Sequence, residues 1–274
     1  MSNKKIVHEI TPDIDPRSVL CTTYQMRNTF RQFYDGVASE LEVYSYFLHQ
    51  AAAELCPKQG RVLDVCSGRG LLIPFLRYHA SPSLYVGVDI SPKNATWSRG
   101  VDPRRGGKEL KEWGFKTVYV ESNAATMVDP VQNAIGVGKL FDLVVYTASI
   151  EHMQPSDQKK SLVACNQLCT PKGQMYLTFP VTHGVSGYDT QYKAHVYEPS
   201  MPEIHEWLSV AGWKVVRRFG WLVKTHSFRK RLDPKRLKTA EYIYSMMPRP
   251  LALVMVAALF PDVADEVALL CVKR

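Results

Sequence analysis

Residues 62–70 read Val-Leu-Asp-Val-Cys-Ser-Gly-Arg-Gly, an apolar run that ends in two closely spaced glycines. Such a run reads as a short buried strand. Glycines directly after it let the backbone turn sharply into a helix whose first N–H groups stay open to a ligand. A strand, turn and helix of this kind point to an open sheet of parallel strands, where ligands settle outside the carboxyl ends. The rest of the chain agrees. Apolar runs at Arg61–Val65, Leu84–Val88, Lys116–Val120, Phe141–Tyr146, Gln174–Phe179, Trp213–Arg218 and Glu266–Val272 predict seven strands. Helices are predicted over about Gly70–His79, part of Ser91–Gly114, Ser156–Leu168 and Met201–Ala211. Strands alternating with helices imply an α/β fold, a mostly parallel sheet with helices on both faces. The last two strands are separated by a long helical insertion, about residues 221–261, and are candidates for an antiparallel pair.

Before the first strand, Val37, Leu41, Tyr44, Leu48, Ala51 and Leu55 recur at helical spacing and form one apolar stripe. Residues 1–56 are therefore expected to be an N-terminal arm and helix, with the arm around Tyr24–Tyr34 serving as a lid or as surface packing. Residues 57–274 are expected to form the main domain.

The ligand of the glycine turn can be narrowed by elimination. A G-x-G-x-x-G dinucleotide fingerprint lacks its third glycine when counted from Gly68, and two of the three when counted from Cys66. A P-loop is excluded because no Gly-Lys-Ser/Thr follows. Asp89 closes the second strand, 21 residues after Gly68, at the distance where an acid meets the ribose hydroxyls of an adenosine-type ligand. A nucleoside cofactor without a pyrophosphate fits these residues better than a nicotinamide dinucleotide does.

Taken in order, these segments resemble the class I S-adenosylmethionine-dependent methyltransferases. VLDVCSGRG is similar to that family's first motif, VLDxGxGxG, and YVGVDIS to its ribose-binding strand. FDLVVYTASIEHM resembles the fourth strand and its loop, and CTPKGQMYLTFP the fifth strand with its preceding turn. HVYEPSMPEIHEWLSVAGWKVV resembles the helix and strand that follow. The likeness spans Arg61 to Arg218 and implies a Rossmann-like fold and S-adenosyl-L-methionine as cofactor, with S-adenosyl-L-homocysteine as product. It implies that Asp64, Cys66, Ser67, Gly68 and Gly70 form the cofactor turn, with Asp64 turned toward the methionine amino group. It also implies that Asp89 binds the ribose, Ile90 packs on adenine, Asn123 and Ala124 meet the adenine edge, and Tyr146 and Thr147 line the methionine end. Three positions depart from the pattern. Cys66 replaces the first glycine of the turn, Asn123 stands where an Asp is frequent, and Lys172-Gly173 replaces a Gly-Gly turn in which one glycine is expected to supply the positive φ.

A sulfonium is an activated methyl donor, so catalysis is largely alignment, with a base needed only where the acceptor loses a proton. The candidates for that base are His152, His183 and His195, with Glu151 beside His152 and Glu198 as a weaker option. Each of these histidines can equally be a hydrogen-bonded loop residue. The segment Gly187–Tyr192 is polar and aromatic and is a candidate substrate loop. The fourth strand leads into Tyr146-Thr147-Ala148-Ser149 rather than an acid/amide-Pro-Pro-Tyr turn, which argues against methylation of a DNA base amine. No Pro-Cys nucleophile for cytosine C5 chemistry is present. The expected reaction is methyl transfer to an O or N nucleophile of a small molecule.

Charge supports an alternative. The formal net charge is +8, and Arg217–Lys238 holds nine basic residues against Asp233 alone. That segment, with Arg104–Lys108, is a candidate surface for RNA or nucleotides if it is not simply a solvated helical face. A non-catalytic binding module with the same fold is a further alternative. The six cysteines have no zinc-ribbon spacing; Cys165 and Cys169, four apart, are expected to be two core thiols on one helix face. No signal-peptide core is seen at the start, and the longest apolar run, Leu251–Phe260, is half of a membrane span. A soluble, cytoplasmic protein is expected.

Overall fold

The computed structural model describes residues 40–68, 70–92, 94, 114–184, 186–190 and 193–274. The N-terminal arm, Cys21, Arg69, Arg104–Lys108, Gln191, Tyr192 and most of the segment expected to be helical at 91–114 lie outside those residues.

Seven strands form one sheet: β1 (Arg61–Val65), β2 (Leu84–Asp89), β3 (Lys116–Glu121), β4 (Phe141–Thr147), β5 (Cys169–Pro180), β6 (Trp213–Leu222) and β7 (Glu266–Lys273). Their order is β3-β2-β1-β4-β5-β7-β6. The first five run parallel, whereas β7 inserts antiparallel between β5 and β6. The strand order reverses between β1 and β4. That is the point where the two connections leave to opposite faces and a crevice opens at the carboxyl ends.

Side chains alternate along β1. Leu63 and Val65 enter one apolar cluster, which also takes in Val86, Val144, Leu177 and Leu269. Val62 enters the other, with Tyr85, Leu143, Val145, Tyr176 and Ala268. Both faces are thus covered, and the strands read as nearly unbroken apolar runs. On the second face, α1 (Glu40–Glu54) and α2 (Ile73–His79) pack together, sharing Ala52, Ala53, Leu72 and Leu76. The first face carries α3 (Val128–Ile135), α4 (Pro155–Leu168) and α5 (Met201–Val210). Ser200 and Glu203 close α5 with a reciprocal capping box.

The insertion is helical as expected: α6 (Thr225–Arg231), α7 (Pro234–Met246) and α8 (Arg249–Leu259). Its apolar run is core. Ala252, Leu253, Val256 and Ala257 of α8 are fully buried and the helix lies on β6. At Gly220 an added Cβ would fall on the Ala257 carbonyl, so the helix rests directly on the strand there.

Three expectations need correction, and one helix adds to them. The helix after the turn begins at Ile73 rather than Gly70, because residues 70–72 form a turn. Helix α3 was not anticipated. Cys165 and Cys169 do not share a helix, since α4 ends at Leu168 and Cys169 opens β5, although both thiols are buried. Gly173 does not supply a positive φ; it is needed because a Cβ there would meet Cys169 Sγ and the Phe141 carbonyl. No described helix is long and apolar enough to cross a membrane.

Candidate active site

The turn after β1 is built from hydrogen bonds that converge on Gly68. Asp89 at the end of β2 accepts from the Gly68 N–H through Oδ2 at 2.8 Å, and from the Ser91 N–H through Oδ1 at 2.8 Å. The Asn94 amide donates to Oδ1 at 3.2 Å. Ser67 donates its N–H to the Val88 carbonyl at 2.9 Å, and Tyr119 of β3 donates its hydroxyl to the Gly68 carbonyl at 2.8 Å. Asp89 thus shapes the turn, and a carboxylate with about four lone-pair sites still has one for a ribose hydroxyl. Gly68 (φ 53°) and Gly70 (φ 76°) adopt the left-handed backbone that glycine favours, and no described residue other than its chain neighbours stands within 4 Å of where a Cβ would be on Gly68.

Cys66 holds φ 55° without being glycine. It stands where the resemblance has a glycine, and the fold keeps the glycine-like backbone despite the side chain. Ala148, just past β4, has φ 43°. One strained residue therefore follows each of the two central strands, on either side of the crevice, where such outliers concentrate at functional positions.

Asp64 is buried at 3% exposure on the face opposite Leu63 and receives the Tyr85 hydroxyl at 2.7 Å. Burial raises its carboxyl to about 7, against the Tyr85 hydrogen bond and with help from the Asp89 charge. Ile90 is 69% exposed at the tip of β2, open for a ring to stack upon. Asn123 caps the short turn at Ala124–Thr126, its Oδ1 accepting the Ala125 N–H at 2.8 Å, and Ala124 is buried. That bond occupies one lone pair of the oxygen expected to meet adenine, while the amide N–H₂ keeps its donors. Tyr146 spends its side chain in the core, fully buried, with its hydroxyl 3.2 Å from Ser161 of α4. It offers the crevice backbone only. Thr147 is half-buried, and its carbonyl accepts the Ser149 hydroxyl at 2.6 Å.

The candidate bases separate into two groups. His152 and His195 meet edge to face, with ring centroids 5.0 Å apart. His195 Nδ1 lies 2.6 Å from Glu198 Oε1, and His152 Nδ1 lies 2.9 Å from the Ala194 carbonyl. Glu151 is buried beneath them, and its carbonyl accepts the N–H groups of Val196 and Tyr197, which fastens the 193–198 segment over the end of β4. Burial raises the Glu151 carboxyl to about 8, and the Glu198 charge adds to this. The His195 imidazole is pushed down by burial, against its Glu198 bond. His183 is elsewhere. Its Nε2 donates to the Ala264 carbonyl at 3.1 Å beside Asp265, and burial and Arg231 hold its pKa down. It serves the junction between the insertion and β7. The candidate substrate loop packs at the same end, with Tyr188 edge-on to Tyr197 at 4.8 Å.

Sequence reasoning missed Tyr85 and Tyr119, which it read as strand core, and the pairing of His195 with Glu198. Only the three-residue spacing in a loop hinted at that pair.

Residues 38–233 match the family described as "Methyltransferase domain", and the chain belongs to it. It is a class I methyltransferase that uses S-adenosylmethionine. Solved structures agree on the fold. An S-adenosylmethionine-dependent methyltransferase from Archaeoglobus fulgidus is 15% identical, with TM-score 0.53 over 86% of this chain and 95% of that one. The cyclopropane synthase MmaA2 from Mycobacterium tuberculosis is 12% identical, with TM-score 0.53 over 85% of each chain. The [4+2]-cyclase SpnF is 15% identical, with TM-score 0.53 over 83% of this chain and 80% of that one. No curated protein sequence matches.

Proposed function

We propose that the chain transfers the S-adenosylmethionine methyl group to an oxygen or nitrogen nucleophile of a small-molecule acceptor held against His152 and His195. The observation that carries this reading is the histidine pair at the end of β4, His152 on the loop after the strand and His195 on the fastened 193–198 segment, where the buried Glu198 backs it. In this reading Asp89 and the turn at Gly68 hold the nucleoside, Ile90 stacks on its base, and Asp64 faces the methionine amino group. The acceptor enters from the histidine side, and alignment of nucleophile, methyl and sulfur supplies most of the rate. A His195 imidazole kept neutral by burial, with its Nδ1–H given to Glu198, is suited to take the acceptor's proton at Nε2.

The basic insertion favours a small acceptor over a polynucleotide. Arg229 pairs with Glu241, Arg231 with Asp265, and Arg236 with Asp233 and Asp262. Arg218 donates to the Pro261 carbonyl at 2.6 Å. These guanidiniums are engaged in holding the insertion together. The test is incubation with labelled S-adenosylmethionine and a library of small hydroxyl and amine compounds, with RNA in parallel. Label in a small product supports the reading; label in RNA alone rejects it.

A further inference from the structure

Glu151, His152 and His195 converge at the end of β4, each offering one ligand atom, and these atoms lie within 4.8 Å of one another. We propose that this cluster is a binding site for a divalent first-row transition metal ion, held by Glu151 and the Nε2 atoms of His152 and His195, with open positions facing the acceptor.

Four observations support the site. The tautomers are set for it. A carbonyl only accepts, so His152 Nδ1 must donate to Ala194, which leaves the lone pair on Nε2. Glu198 does the same for His195, and a carboxylate on the far nitrogen of an imidazole is the usual second partner of a metal-bound histidine. His195 Nε2 then faces Glu151 Oε1 at 3.9 Å. Glu151 is 2% exposed and its Oε2 has no hydrogen-bond partner among the described residues, an unsatisfied buried polar atom that a bound cation would satisfy. His152, by contrast, is exposed and has room to close on an ion.

Two imidazoles and one carboxylate select zinc, iron, nickel or cobalt over magnesium or calcium. Three protein ligands leave a coordination position for solvent or substrate, as catalytic zinc sites do. This proposal rests on the acceptor site argued above and deepens it: with the ion bound, His195 Nε2 is a ligand, and the base role given to it above passes to the ion. The ion takes the acceptor's hydroxyl oxygen and lowers its pKa, so the proton leaves to solvent rather than to His195. The O–CH₃ bond then forms as the S–CH₃ bond breaks, and the electron pair returns to sulfur in S-adenosylhomocysteine.

The chain should be stripped with a chelator and dialysed against Zn²⁺ or Co²⁺. We expect one ion retained per chain, visible d–d absorption for Co²⁺, and a rise in melting temperature with Zn²⁺. The His152→Ala/His195→Ala variant should lose all three while S-adenosylhomocysteine affinity stays unchanged. Glu198→Gln should weaken ion affinity about tenfold or more. No ion retained by the native chain, or equal retention by the double variant, overturns the site. An ion retained without any methylated small molecule upholds the site and removes the acceptor reading. Chelator-resistant methylation by an ion-free chain does the reverse.

Discussion

At the scale of single residues, two carboxylates at adjacent strand ends have opposite situations. Asp89 accepts three hydrogen bonds, from the Gly68 and Ser91 backbones and the Asn94 side chain. Its removal takes three hydrogen bonds from the turn and, in the proposed reading, a ribose partner as well. Asp89→Ala is expected to weaken S-adenosylhomocysteine binding by about 1–3 kcal/mol, read by calorimetry, and an unchanged affinity would show that the turn binds without it. Among the described residues Asp64 accepts from Tyr85 alone, and burial keeps it protonated up to about pH 7. A native acid with a raised pKa binds its proton more tightly than the unfolded chain does, so its stabilisation is complete at low pH and fades as pH rises toward 7. Across that window the loss is on the order of 4 kcal/mol. Asp64→Asn, whose amide oxygen still accepts from Tyr85, should flatten that slope in denaturant titrations of the ligand-free chain between pH 4 and pH 8. An identical slope would mean that Asp64 does not hold its proton in the native state.

At the scale of elements, α8 rests directly on β6 at Gly220. Any side chain on Gly220 must displace the Ala257 carbonyl, which belongs to the helix backbone and cannot rotate away. Gly220→Val is expected to cost about 1–3 kcal/mol, with the denaturation midpoint as the measure. The strands were legible in the sequence because buried parallel strands are contiguous apolar runs, and their bounds emerge within a residue or two at β1, β2, β3 and β4. The start of β5 was not, because Thr170-Pro171-Lys172-Gly173 has turn chemistry, yet the chain stays extended under Phe141. Helix α3 was hidden by its eight-residue length and by Pro130 within it. The cofactor turn was readable as a local strand-turn-glycine pattern. The histidine cluster was not, since it joins the end of β4 to a loop 42 residues later through a contact that only the tertiary fold creates.

At the scale of the whole molecule, the excess positive charge is concentrated in the segment that carries the insertion, but much of it is paired there. A protein that binds polyanions through six to ten phosphate contacts loses roughly 10³- to 10⁵-fold in affinity between about 50 and 200 mM salt. Here the acceptor KM is expected to change by less than about threefold over that range, because Arg229, Arg231 and Arg236 already have carboxylate partners. A steep loss would return the RNA alternative to first place.

The antiparallel seventh strand carries a consequence for how the molecule comes into being. It is the last strand along the chain, yet it occupies an interior lane of the sheet, hydrogen-bonded on both edges. During synthesis β5 and β6 therefore wait beside an empty slot. The α8 helix, which lies on β6, settles on an unfinished floor until residues 266–273 leave the ribosome. The strands from β1 to β5 have their parallel neighbours much earlier, so the turn at Gly68, where we propose the cofactor is held, is able to form while β6, the insertion and β7 are still being translated.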